Sequence, residues 1–137
     1  MIQIIAGEKG EGKTKRLLDM ANDAGKKADG HVVFIDDDKR HMYDLHYSIR
    51  FVDTNGFLMK DQNTFFGFIC GILSQDRDIE KVYIDGLNNI VKDISNEELE
   101  HFLTKLDRTS QEHNVDFVMI ISQKTETLPA KAKSYLI

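Results

Sequence analysis

Eight residues near the start of the chain, GEKGEGKT from Gly7 to Thr14, combine backbone freedom with charge directly behind a short apolar run. The three glycines allow the backbone to curl so that successive N–H groups point at one spot. A helix beginning there would add its N-terminal partial positive charge to the same field. The segment therefore predicts a cradle for a polyanionic phosphate.

The spacing of this octapeptide fits the pattern G-x-x-x-x-G-K-[ST], in which each part has a chemical task. Lys13 would neutralise the β- and γ-phosphates of a nucleotide, and the Thr14 hydroxyl would ligate Mg²⁺. The alternative is a glycine turn that matches by accident. The residues expected to contact the nucleotide are Gly7, Glu8, Lys9, Gly10, Glu11, Gly12, Lys13, Thr14 and Lys15.

A magnesium site of this kind needs a second carboxylate at the end of a neighbouring buried strand. The apolar segment VYID ends at Asp85 and supplies that group. An acid at the end of an apolar strand is weak support by itself, because loops often begin with Asp. Together with the glycine loop, it predicts a Mg²⁺ site formed by Thr14 and Asp85.

Short apolar or β-branched runs alternate with segments of helical periodicity along the chain, and the apolar runs predict buried strands. The runs typical of strands are Ile2 to Ala6, His31 to Asp36, Ile49 to Asp53, Lys81 to Asp85 and Asp116 to Ser122. The last residues, SYLI, could form one more short strand.

Helical segments separate these strands. The glycine loop opens a helix that we expect to continue to about Ala24, with Gly25 as its C-terminal stop. A second helix is expected from Asn63 to Ser74, and Ser95 with Glu98 forms a capping box for a third. The alternation predicts an α/β three-layer sandwich, in which a mostly parallel central sheet of about five strands is flanked by helices.

Composition bounds the possible functions. A chain of 137 residues predicts one domain, covering residues 1–137, with a core of its own. The formal net charge of -5 does not indicate nucleic-acid binding. We expect Cys70 to be a buried, inert thiol. Without a targeting segment or a run of about 20 apolar residues, the sequence predicts a cytoplasmic protein that does not insert into a membrane.

With GEKGEGKT as Walker A and VYIDG as Walker B, the chain resembles the P-loop NTPases, and specifically a minimal RecA-like ATPase core. As in that branch, another strand, in HVVFIDDD, lies between the two motifs in sequence. The resemblance implies a water-activating acid at Asp38, where the family has glutamate, with Asp36 and Asp37 as near alternatives. A solvated acidic turn is the other interpretation. Gly86 stands where other members place a glutamate after the Walker B aspartate.

The resemblance also implies a polar sensor of the γ-phosphate after the strand that follows Walker B. Gln123 matches that position. The alternative is that Gln123 is simply a polar residue that follows a core strand. The segment QKTE differs from the guanine-recognition motif of GTPases in both outer residues, so ATP is favoured over GTP. Arg77 and Arg108 are candidates for arginine fingers that reach a neighbouring subunit.

The sequence thus predicts an ATP-binding P-loop protein that uses Mg²⁺ and hydrolyses the γ-phosphate weakly, or when a partner stimulates it. Its expected catalytic residues are Lys13, Asp38 and Gln123. The alternative is a nucleotide-dependent regulatory binding module without significant turnover, and a small-molecule kinase or a GTPase is less favoured. The expected partners are the nucleotide and either further copies of the chain or another protein.

Overall fold

The computed structural model describes residues 1–10 and 12–137, and Glu11 lies outside the described residues. The strands are β1 (Ile2–Ala6), β2 (His31–Asp36), β3 (Ile49–Asp53), β4 (Ile79–Ile84) and β5 (Asp116–Ile121). The α-helices are α1 (Lys13–Lys27), α2 (Gln62–Gln75), α3 (Leu87–Ile90), α4 (Asn96–His113) and α5 (Ala130–Lys133). Short 3₁₀ turns cover Met42–Asp44 and Thr125–Thr127.

The five strands form one parallel sheet in the order β1-β5-β4-β2-β3. This confirms the predicted α/β architecture with a parallel five-stranded sheet flanked by helices. Strand β5 lies between β1 and β4, so the strands that precede the glycine loop and Asp85 are not neighbours. Residues 134–137 form no sixth strand, since among them only Leu136 makes a bridge, to Ile4 of β1.

Both faces of the sheet are covered, which explains why its strands are nearly continuous apolar runs. On one face, Val32 and Phe34 of β2 belong to a buried cluster with Leu17 of α1. On the other face, Val33 and Ile35 belong to a cluster that also contains residues of α2 and α4. The sheet therefore holds the ends of its strands in fixed positions, and these ends position the loops that follow them.

Helix boundaries agree with the expectations except at α1. The helix continues through Gly25 to Lys27 and ends where Ala28 becomes extended, so the prediction that Gly25 stops it is wrong. The capping box is confirmed, because the Ser95 side chain accepts from the Glu98 N–H and the Glu98 carboxylate accepts from the Ser95 N–H. Across residues 1–10 and 12–137, no helix combines the length and apolar character needed to span a bilayer.

Candidate functional site

The candidate site is a cavity of about 420 Å³ at the carboxyl ends of the parallel strands. Connecting loops gather at this edge of an α/β sheet, and ligands commonly bind there. The cavity is lined by residues of the glycine loop and the start of α1, of the loop after β2, of the loop after β4, and of the end of β5: Lys9, Gly10, Gly12, Lys13, Thr14, Lys15, Asp36, Asp37, Arg40, His41, Asp85, Gly86, Asn89, Ile120 and Ser122.

Backbone conformation explains the glycines of the loop. Gly10 and Gly12 have φ angles of 87° and 73°, in the left-handed region that other residues rarely adopt. A Cβ at either position would meet no atom within 4 Å, so the requirement is conformational and not steric. The loop then passes directly into α1, whose first residue is Lys13. The sequence therefore builds the glycine loop at the N-terminus of a helix, as the motif requires.

Lys13 is the buried cation of the site, with 8% of its surface exposed. Its ammonium donates a hydrogen bond to the carbonyl oxygen of Glu8, within the glycine loop. A lysine ammonium has three N–H donors. Within the part of the chain that the structure describes, this is its one hydrogen bond, so two donors remain for an anion in the cavity.

Thr14 and Asp85 both line the wall of the cavity, and the threonine hydroxyl lies close enough to the carboxyl group to lower its pKa. The Asp85 N–H donates to the carbonyl of Ile35 at 2.9 Å, which fixes the residue beside the end of β2. Asp85 is 8% exposed. Burial raises its pKa and the negative charges of Asp37 and Asp38 raise it further, whereas the nearby Thr14 hydroxyl and His41 oppose the shift.

Asp36 is a second buried carboxyl group in the cavity, with 4% of its surface exposed. Its Oδ1 accepts the N–H of Asp37 at 2.7 Å. Burial is the main cause that raises its pKa to about 8, with contributions from Asp37 and from the charge of Asp85. Asp36, Asp37 and Asp85 line the same cavity as Thr14. Carboxylate and hydroxyl oxygens are donors that suit Mg²⁺.

Asp38 lies beside the cavity and not among the residues that line it. Its Oδ1 accepts the backbone N–H of Arg40, and its Oδ2 accepts from Arg40 Nε, both at 3.0 Å. The Asp38 carboxylate thus binds Arg40, whereas Asp36 and Asp37 line the cavity. The role of Asp38 as the water-activating acid stays a prediction.

Gln123 is not brought into the cavity. Its Nε2 donates to Asn96 Oδ1 at 3.1 Å and to the Thr127 carbonyl at 2.9 Å, so its side chain ties the loop after β5 to α4. The preceding residue, Ser122, lines the cavity instead. The Ser122 N–H donates to Asn88 Oδ1 at 2.8 Å, which joins the ends of β5 and β4.

The other predicted nucleotide contacts divide into two groups. Lys9 and Lys15 line the cavity, although Lys15 is also paired with Asp19 at 2.8 Å. Gly7 and Glu8 do not line it, and the exposed Glu8 carboxylate lies 3.6 Å from the Lys124 ammonium. Glu11 lies outside the described residues.

Sequence reasoning missed Arg40, His41 and Asn89, which line the cavity from the loops after β2 and β4. Their only sequence signal is position, since each lies within a few residues of an aspartate that ends an apolar run. The proposed finger residues lie elsewhere. Arg77 and Arg108 line a separate hollow between α2 and α4 of about 440 Å³.

Comparison with known proteins assigns the chain to no family. No model of a protein family matches the chain, and no curated protein shows significant sequence similarity to it. What the site can do is therefore argued from its own residues.

Proposed function

We propose that the chain binds Mg²⁺·ATP in this cavity and hydrolyses the γ-phosphate weakly, or under stimulation by a partner. In this proposal it is a P-loop protein of RecA-like topology. The observation that carries the proposal is the contact between Thr14 and Asp85 at the wall of a cavity that Gly10, Gly12 and Lys13 also line. Residues far apart in sequence thus line one cavity, which supports the assignment of the two motifs to a single nucleotide site.

The order of the sheet supports the proposal. The glycine loop follows β1, while Asp36 and Asp85 follow β2 and β4, and all three strands are parallel. Their carboxyl ends therefore lie at one edge, and a nucleotide there would have its phosphates between the loop and the carboxylates. A helix N-terminus on one side and carboxylates on the other suit a phosphate chain that is bound together with a cation.

Each residue has a separate task in the proposed reaction, an in-line attack of water on the γ-phosphorus. The water oxygen forms a bond to this phosphorus, the bond to the β–γ bridging oxygen breaks, and ADP and inorganic phosphate leave. The loop amides and the Lys13 ammonium stabilise the charge that develops on the phosphate oxygens. Thr14 and Asp85 would hold Mg²⁺, which neutralises charge on the β- and γ-phosphate oxygens. An acid from the loop after β2 orients the water, and Asp36 and Asp37 line the cavity where that water would lie.

A regulatory module that binds nucleotide without significant turnover is the second candidate. The observation that favours it is the position of Asp38, whose two carboxylate oxygens are taken by Arg40. Gly86 follows Asp85 and brings no further carboxylate to that position. Under this alternative the same cavity binds ATP, and the bound nucleotide changes which partner the protein contacts.

Calorimetric titration of Mg²⁺·ATP into the wild type and Lys13→Ala tests the proposal. We expect the wild type to bind Mg²⁺·ATP measurably. The variant should bind it with an affinity lower by roughly 10- to 100-fold, because charge-assisted hydrogen bonds to phosphate are removed. Lys27→Ala is the matched control, since it removes the same charge from an exposed side chain of the same helix that is paired with Asp23 and does not line the cavity.

Phosphate release in the same samples separates the two candidates. Release that is lost in Lys13→Ala supports the ATPase, whereas nucleotide binding without release supports the regulatory module. If the wild type binds neither ATP nor GTP in the presence of Mg²⁺, the glycine loop is a structural turn and both candidates fail.

A further inference from the structure

Arg40 is an arginine of the chain itself that lines the candidate nucleotide cavity. It lies in the loop after β2, four residues beyond Asp36, and faces the same cavity as Lys13 and Thr14 of the glycine loop. The cavity therefore has cations on two of its walls. Lysines come from the glycine loop and the start of α1, and an arginine comes from the side of the strand-end carboxylates.

Asp38 holds this arginine at two points. The carboxylate accepts the backbone N–H of Arg40 through Oδ1 and its Nε through Oδ2, each at 3.0 Å. The first bond shapes the turn, and the second orients the guanidinium group. Two bonds to one carboxylate restrict the arginine more than a single surface ion pair would.

The guanidinium group keeps donors for a ligand. Its bond to Asp38 uses Nε, and in residues 1–10 and 12–137 no acceptor lies within hydrogen-bond distance of its two terminal nitrogens. The side chain is 76% exposed, so little desolvation opposes its use. The planar fork of an arginine matches the oxygens of a phosphate better than an ammonium does.

The position of Arg40 relates it to one part of a nucleotide. In a P-loop site the terminal phosphate lies next to the metal ligands and the water-orienting acid. Here those groups are Asp85 and the acids of the loop after β2, and that loop carries Arg40. An arginine on this wall would contact the γ-phosphate, which ATP has and ADP lacks.

We propose that Arg40 contacts the γ-phosphate of a nucleotide bound in its own chain and that Asp38 is its positioning residue. This inference rests on the proposed function, because it requires a nucleotide in the cavity. It gives Asp38 a different task from activation of water, which then falls to Asp36 or Asp37. It also supplies the γ-phosphate with an arginine without a second subunit.

The test measures the affinities for Mg²⁺·ATP and Mg²⁺·ADP separately, by calorimetry, in the wild type and in Arg40→Ala. We expect the preference for ATP over ADP to fall by roughly tenfold, as for loss of a charge-assisted hydrogen bond, while the affinity for ADP changes by less than about twofold. Lys39→Ala is the matched control, because it removes the same charge from an exposed neighbour that does not line the cavity.

Two further variants separate a contact from a general effect of charge. Arg40→Lys should restore only part of the preference for ATP, because an ammonium cannot reproduce the fork. Asp38→Asn should lower the same preference by a smaller factor, since it loosens Arg40. If Asp38 instead activates water, Asp38→Asn will abolish phosphate release and leave the ATP to ADP ratio unchanged.

The outcomes are distinguishable. Equal losses of ATP and ADP affinity in Arg40→Ala, or an unchanged ratio in that variant, overturn the inference and leave the proposed function intact. A wild type that binds neither nucleotide overturns both. Because Arg40 is exposed, the urea midpoints of the variants should equal that of the wild type, and this measurement shows that each variant is folded.

Discussion

The neighbouring strands β2 and β4 carry charged clusters at both ends, and the two clusters differ in how their carboxylates are satisfied. At the amino ends, Asp76 Oδ2 lies 2.5 Å from His31 Nδ1 and 3.1 Å from Arg50. The hydrogen bond from His31 is the main cause that lowers the pKa of Asp76. At the carboxyl ends, burial raises the pKa values of Asp36 and Asp85.

The difference distinguishes a structural cluster from a candidate site. The carboxylate of Asp76 is compensated within the fold by a histidine and an arginine. Asp36 and Asp85 are buried near each other without a cationic partner of that kind among the described residues, which costs stability and is typical of functional sites. A bound cation, as the proposed function requires, would relieve that cost, whereas the charge of Asp76 at the amino ends is already compensated within the fold.

The ligand atoms of His31, Asp76 and Asp78 lie within 4.8 Å of one another, a spacing that a metal ion could use. Arg50, however, donates to the same Asp76 oxygen that His31 contacts. A cation at this point would face the guanidinium charge. The amino-end cluster is therefore better described as an ion-pair network.

The largest change in stability is expected when alanine replaces Gly30, at the amino ends of the strands, or Gly86, at their carboxyl ends. In Gly30→Ala the new Cβ would lie 2.2 Å from the backbone carbonyl oxygen of Asp78, so we expect a loss of about 3 kcal/mol in the free energy of unfolding. In Gly86→Ala, a residue with φ of 81°, the expected loss is about 1–2 kcal/mol.

Urea unfolding and nucleotide titration of both variants separate the two ends. Only Gly86→Ala should also weaken Mg²⁺·ATP binding, because its Cβ would lie 2.9 Å from Asp37 Oδ1 at the cavity. Weakened binding in Gly30→Ala under conditions where it is fully folded would contradict the division between a structural and a functional end.

An intermediate effect is expected from Asp36→Asn, measured without Mg²⁺. Burial raises the pKa of Asp36 from its ordinary value of 3.8 to about 8 in the folded state, so wild-type stability should fall as the pH rises from about 4 to about 8. Asparagine keeps an acceptor for the Asp37 N–H and removes the charge. The variant should therefore equal the wild type near pH 4 and exceed it by about 1–3 kcal/mol above pH 8, the usual cost of an uncompensated buried polar group.

Urea midpoints at several pH values between 4 and 9 check this expectation. A difference between Asp36→Asn and the wild type that stays constant over that range would show that Asp36 does not change its protonation with folding as described. The Asp38→Asn variant is the control, since it removes the same charge from a residue that is paired with Arg40.

The smallest effect is expected from Asp76→Asn, and its pH dependence has the opposite sign. Because the folded pKa of Asp76 is lowered, its carboxylate stabilises the fold above its unfolded value near 3.8, and this contribution disappears as the pH falls through the lowered value. Asp76→Asn should thus have a slightly reduced urea midpoint at pH 7 and approach the wild type in acid. Nucleotide binding should not change, and a change would contradict the comparison.

Much of the fold could be predicted from the sequence because its strands are buried on both faces. Such strands are apolar throughout, as in the run from His31 to Asp36, and their alternation with helices implies a parallel sheet. The end of α1 could not be predicted, since Gly25 adopts helical geometry within the packed structure although glycine is a common helix stop.

The candidate site could be predicted in its main parts and not in its details. The glycine loop and Asp85 could be identified because each has a local sequence pattern, namely the spaced glycines and the acid that ends an apolar run. Three consecutive aspartates follow Ile35, and the sequence cannot show which of them lines a cavity, because a turn sends adjacent side chains in different directions. The same difficulty applies to Ser122 and Gln123, where the hydrogen bonds of Gln123 to α4 decide the outcome.

The pairing of β1 determines when this strand can join the sheet during synthesis. Among the described residues, β1 pairs with β5 and makes one bridge to Leu136, so all its sheet partners are distant from it in sequence. During synthesis, β1 leaves the ribosome before β2, β3, β4 and β5, and it cannot pair until residues 116–121 have also left. Contacts of such long sequence separation form slowly, since a long loop must close before they are gained. A nascent chain that stops before β5 therefore contains the whole glycine loop but lacks the strand that holds β1 in the sheet.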